Sequence, residues 1–268
     1  MVMISKEWKE LYRSAIFLMI IILIFLSTSF VLYQFRGMET QVSFRTGLVP
    51  VFQSSIYFLP LLALIYGAFS VLLEKDQRTL IMFAARGKKL SEFVLGKVIA
   101  LYAVFLPTVL VAYTLALLPA KMVFGELILY DFSIFLLSIL ILSAIFLAIG
   151  VFLGAGIHQK LKLMGTAIGI WLALIYLFDL LLMYWLPSVT LNDVLFFSII
   201  YFLSPINAVS YFLFVKLSVY QLSDLSVVYE HFTFQSPWLV FIGNAMLWIG
   251  ISIIASIYVL KRKGVSHD

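Results

Sequence analysis

VLFFSIIYFLSPINAVSYFLFV, residues 194–215, decides how many times this chain crosses a membrane. Its 22 residues carry no charge, and roughly 20 apolar residues suffice for one helical crossing. Read as a single span, it is interrupted at its middle by Ser204, Pro205, Ile206 and Asn207. A proline removes a helical hydrogen bond and pushes the residue before it out of the helical region. The stretch is therefore predicted to be a re-entrant element or helical hairpin rather than a crossing.

Outside it, apolar runs long enough to span fall at about 15–32, 51–73, 98–118, 132–156, 163–186 and 239–260. They lack the alternation of a barrel strand, and backbone groups in hydrocarbon must be satisfied within their own segment. The fold class follows: an all-α integral membrane protein with six transmembrane helices, forming a single domain over 1–268. A composition of 64% hydrophobic and 12% charged residues excludes a water-soluble fold. The absence of cysteine removes disulfides, thiolate metal sites and thiol nucleophiles together. The opening segment is charged, and the apolar run after it is too long for a signal peptide, so it reads as a retained first span.

With six spans and both termini on one side, 14 of the 18 Lys and Arg fall on that side, Lys261, Arg262 and Lys263 among them. Only Arg36, Arg45, Lys121 and Lys216 fall on the other. The positive-inside rule then puts the N and C termini in the cytoplasm and residues 194–215 on the outer side, in a multi-pass protein of the cell (inner) membrane. The basic balance is explained by topology and by membrane lipid, and gives no support for a nucleic-acid partner. Ahead of the first span, Ile4, Trp8, Leu11 and Tyr12 share one helical face, with Lys6, Lys9, Glu10 and Arg13 largely off it. That pattern predicts an amphipathic N-terminal helix in the cytoplasmic interface.

The inventory for catalysis is thin. Histidines occur only at 158, 231 and 267, and the sequence motifs of zinc hydrolases, serine hydrolases and phosphate-binding loops do not occur. No catalytic residue and no metal ligand is assigned, and the nine Met read as packing residues rather than copper ligands. Asp179 is the one ionisable residue well inside a predicted span. A carboxylate in hydrocarbon is costly, so it should face a bundle interior, a cavity or a partner, with a structural helix-to-helix hydrogen bond as the competing role. The pairs Gly150, Gly154 and Gly165, Gly169 have the small-residue spacing that lets helices approach closely.

Between the second and third spans stands EKDQRTLIMFAARGKKLSEFVLGK, residues 74–97. These 24 residues far exceed what a simple chain reversal needs. Glu74 and Asp76 come first, then Thr79 and Leu80 open an apolar turn, then Arg86, Gly87, Lys88 and Lys89. Ser91 reads as the N-cap of the next helix, with Glu92 in its first turn. Such a segment suits a short helix across the cytoplasmic membrane face that docks a partner. A basic loop held near anionic lipid would account for the Lys and Arg but not for Ile81, Met82 and Phe83.

At this loop the chain resembles the permeases of the ABC-2 type transporters. In that family an acidic residue after the second span is followed by a Gly-Thr-Leu-like triplet, an apolar turn and a Gly-Lys that opens the third span. Glu74, Thr79, Leu80, Gly96 and Lys97 match; Arg78 stands where the family usually has Gly, and residues 85–87 replace a Pro-containing turn. Residues 169–183 and 202–212, with Ser204, Pro205 and Asn207, are similar to the fifth span and outer segment of NosY-like permeases.

The resemblance implies a non-catalytic subunit that forms a homodimer and couples to a separate ABC ATPase through the helix between spans two and three. ATP and Mg would be bound by that partner and no cofactor by this chain. Within the family, the NosY-like proteins work with a NosF-like ATPase and a periplasmic NosD-like protein in copper-site maturation of nitrous oxide reductase. Export of lipid, peptide or drug stays open beside that role. A stand-alone secondary transporter should show several embedded charges or discontinuous helices at the midplane. A lipid-acting membrane enzyme would need a nucleophile and a base on one face.

Overall fold

The computed structural model describes residues 2–13, 16–35, 43–77, 90–188, 193–218 and 236–262. Among these residues the regular structure is helical throughout: α1 Val2–Arg13, α2 Ile16–Gln34, α3 Phe44–Asp76, α4 Leu90–Phe124, α5 Leu129–Gly156, α6 Lys160–Ser188, α7 Val194–Leu203, α8 Pro205–Lys216 and α9 Pro237–Arg262. Six of them, α2 to α6 and α9, are long and apolar enough to span. Each contains one predicted apolar run, except that α2 begins one residue later, at Ile16. Most run past it by several residues, because a helix continues into the headgroup region for as long as its backbone bonds close.

α5 is the central element: Leu142, Ile145 and Phe146 are fully buried, and α3, α4, α6, α8 and α9 all pack on it. Its tightest neighbour is α3. A side chain at Gly150 would overlap the Leu64 carbonyl oxygen, and one at Gly154 the Ala68 carbonyl oxygen. From the other side, Gly67 meets the backbone of Leu147. Between helices that are as apolar as the lipid around them, such close backbone approach supplies the van der Waals contact that hydrophobicity cannot. Gly165 and Gly169 differ from that expectation: nothing among the described residues lies within 4 Å of a side chain added there.

The outer helices turn broad apolar stripes outward. On α9 the buried residues include Asn244, Ser252 and Ser256, whereas Leu239, Met246 and Ile254 are exposed. On α2 the exposed stripe is Leu18, Ile22, Leu26 and Phe30, opposite buried Ile20 and Ile24. Apolar stripes this extensive would aggregate in water and are satisfied by hydrocarbon.

α7 and α8 meet at Ser204 with a bend of 102°. Their 10 and 12 residues rise about 15 and 18 Å, each roughly half of a 30 Å hydrocarbon core. Because α8 makes no headway along the axis of α7, the pair does not serve as one straight crossing.

Candidate functional site

The end of the bundle that holds α1 also holds the two stems of the loop between α3 and α4. Glu74 ends α3 one turn before Gln77, and Lys97 lies two turns into α4. Lys97 is buried and donates both to Glu7 Oε1 of α1 and to Glu74 Oε1, the latter at 2.8 Å. The second oxygen of Glu7 accepts from Ser70 Oγ on α3 at 3.1 Å, and Lys6 Nζ reaches Glu74 at 3.2 Å and Glu10 at 3.6 Å. One ammonium thus fastens α1 to both stems.

Burial disfavours a charged Lys6, but the field and hydrogen bond of Glu74, helped by Glu10 and Glu7, prevail and raise its pKa. Its tie is therefore complete below lysine's ordinary value and is lost only as pH climbs through the raised one. Nearby, Lys75 Nζ donates to Ala155 O in the last turn of α5, where a cation meets unpaired carbonyls. Lys160 of α6 pairs loosely with Asp76 at 3.6 Å.

Glu7 is the residue that sequence reasoning passed over. It lies 90 positions from Lys97, and only packing brings them together. Its signal was an acid on the helical face between Ile4 and Leu11, where an interfacial helix should be apolar. Trp8 on α1 is exposed, in keeping with an interfacial position.

Of the residues assigned to the loop, Glu74 and Lys97 come together, Asp76 is joined to Lys160, and Glu92 is exposed in the first turn of α4. The chain is already helical at Leu90, the first described residue after the loop, so Ser91 lies inside the helix instead of capping it. Gly96 is half-buried inside α4. Arg78, Thr79, Leu80, Arg86, Lys88 and Lys89, with the predicted coupling helix, lie outside the described residues.

A second cluster sits at the break between α7 and α8. Ser204 caps α8, its Oγ accepting from the Asn207 N–H, and Pro205 occupies the first helical position, where its missing N–H costs nothing. The freed carbonyls at the end of α7 are met from α9: Asn244 Nδ2 donates to Phe202 O at 2.7 Å, and Trp248 Nε1 to Leu203 O at 2.8 Å. Backbone at membrane depth is thereby satisfied within the protein. Asn207 Nδ2 donates to Asp179 Oδ1 at 3.2 Å, which sets the carboxylate beside the first turn of α8, the favourable end of its dipole. Asp179, Ser204, Pro205 and Asn207, singled out separately in the sequence, belong to one constellation. A π-helical turn, Ala173–Leu177, ends two residues before Asp179, and such turns recur at functional sites.

At the far end the buried Asp131 is held by the partly exposed Arg45 through Nε at 2.8 Å and Nη2 at 3.3 Å, joining the starts of α3 and α5. Among the described residues no group of three His, Cys, Asp or Glu could hold a metal ion.

Six apolar spanning helices, a broken helix pair stitched from within and an ionic clasp at the loop stems define a multi-pass helical membrane protein. Its residues 1–265 match the family model described as ABC-2 family transporter protein, and the chain belongs to that family of membrane transport proteins. No curated protein matches the chain.

Proposed function

We propose that this chain is the permease subunit of an ABC transporter, with no catalytic site of its own, which receives the motion of a separate ATPase through residues 74–97. The clasp of Lys97 with Glu7 and Glu74 carries the reading. It joins both stems of the loop to α1 as one body, so displacement of the loop is passed to α1, α3 and α4 together. The charge bias puts this end and both termini in the cytoplasm of the cell (inner) membrane, and the α7–α8 pair on the outer side. Two copies form the transport path, each engaging one ATPase that binds ATP and Mg. Coupling is by rigid-body movement of packed helices, with the chemistry left to the partner.

Asp179, at the break, lines the outer part of that path or the seam between copies. For cargo, the similarity of residues 169–183 and 202–212 to NosY-like permeases supports copper-site maturation of nitrous oxide reductase, with NosF-like and periplasmic NosD-like partners. Export of lipid, peptide or drug is the alternative within the same mechanism.

The α7–α8 break is the observation that favours a stand-alone secondary transporter, since such proteins use half-helix ends as binding sites. Here the first turn of α8 is already occupied from within the chain, Ser204 Oγ capping the Asn207 N–H and Asp179 accepting from the Asn207 side chain. Affinity purification of the full chain from its native membrane tests the reading. A co-purifying protein with a Walker A motif and ATP turnover is expected; ion-driven transport by the chain alone would overturn it.

A further inference from the structure

Next to the clasp, α1, α2 and α3 line an open-sided cavity of about 360 Å³, within the range of small-molecule sites. Its polarity is one-sided. Glu7 and Glu10 of α1 line one part, and Ile20, Ile65, Phe69 and Leu73 of α2 and α3 line the rest. Along α3 the lining runs from Leu62 to Leu73, a rise of about 16 Å. Leu73 and Met19 are exposed where hydrocarbon lies, so the slot is open to the bilayer.

Two observations describe what would fill it. Among the described residues, Glu7 is engaged by Lys97 and Ser70 and Glu74 by Lys97 and Lys6, whereas the only contact of Glu10 is the 3.6 Å approach of Lys6. Among the described residues Glu10 is thus the carboxylate least occupied by a cation, and it stands at the mouth. Deeper in, Tyr66 lines the cavity with a buried hydroxyl that has no hydrogen-bond partner among the described residues. Buried hydroxyls are rarely left unpaired, and an acceptor oxygen brought by an occupant satisfies this one.

We propose that this cavity binds one membrane phospholipid with a protonated amine headgroup, its ammonium on Glu10, an ester oxygen accepting from Tyr66 and an acyl chain along Ile65 and Phe69. The lipid touches Glu7, so occupancy bears directly on the clasp. The site stands whether or not an ATPase is the partner.

The test uses the purified full chain in phosphatidylcholine vesicles containing either phosphatidylethanolamine or phosphatidylcholine with a photoreactive acyl chain, followed by peptide mapping. The ethanolamine probe should label α1, α2 and α3 about fivefold more than the choline probe, as a charge-assisted hydrogen bond at a half-exposed carboxylate implies. Glu10→Gln, at an exposed position that leaves the clasp intact, should abolish the preference while keeping residual labelling. Ile65→Trp, which fills the slot, should remove labelling by both probes. Equal labelling by the two probes, a preference unchanged in Glu10→Gln, or label confined to other helices would each overturn the proposal.

Discussion

Replacing Lys97 by Met removes the one ammonium that contacts both Glu7 and Glu74 among the described residues and leaves two carboxylates buried. Breaking a buried ion pair by deleting one partner costs about 3–5 kcal/mol, so the thermal unfolding midpoint of the detergent-solubilised protein should fall markedly. Adding Glu7→Gln and Glu74→Gln to Lys97→Met should restore most of the loss. A single variant as stable as the wild type would show that the clasp is not formed. At the break, Asp179→Leu should cost only about 1 kcal/mol, the usual value of one interhelical hydrogen bond in a membrane protein. If the same variant stops transport at unchanged stability, Asp179 acts on the transport path and not only as a brace for Asn207.

At the scale of the helix, the two glycine pairs should behave oppositely. Gly150→Leu or Gly154→Leu drives a side chain into the backbone of α3, so little folded protein should be recovered. Gly165→Leu and Gly169→Leu meet open space and should leave the stability of the isolated subunit nearly unchanged, as scored by size-exclusion profiles after heating. The α7–α8 pair can be tested on a clean background, since the chain has no cysteine. Asp193→Cys and Ser218→Cys, at exposed positions flanking the pair, should both react with an impermeant maleimide from the same side of the membrane. Labelling from opposite sides would make the pair a seventh crossing.

The spans and the break were legible because hydrocarbon thickness and a central proline act locally, on consecutive residues. Glu74 and Lys97 were legible as members of the loop, but their meeting was not, since Glu7 is brought in from a distant helix. The open face at Gly165 and Gly169 was equally hidden: spacing marks where a helix can be approached and does not say whether a neighbour comes.

For the whole molecule, family membership and six candidate spans describe a multi-pass membrane transport protein. In the proposed function, motion enters through residues 74–97. The most direct measurement is ATP turnover of the complex between this chain and its ATPase, reconstituted in lipid, with and without the triple substitution Arg86→Glu, Lys88→Glu and Lys89→Glu. The account predicts that the triple variant folds, because the clasp of Glu7, Glu74 and Lys97 is untouched, but loses the ATPase on purification and with it at least about tenfold of the turnover stimulated by the permease, equivalent to about 1.4 kcal/mol. A complex that stays intact, with turnover equal to the wild type, would contradict it.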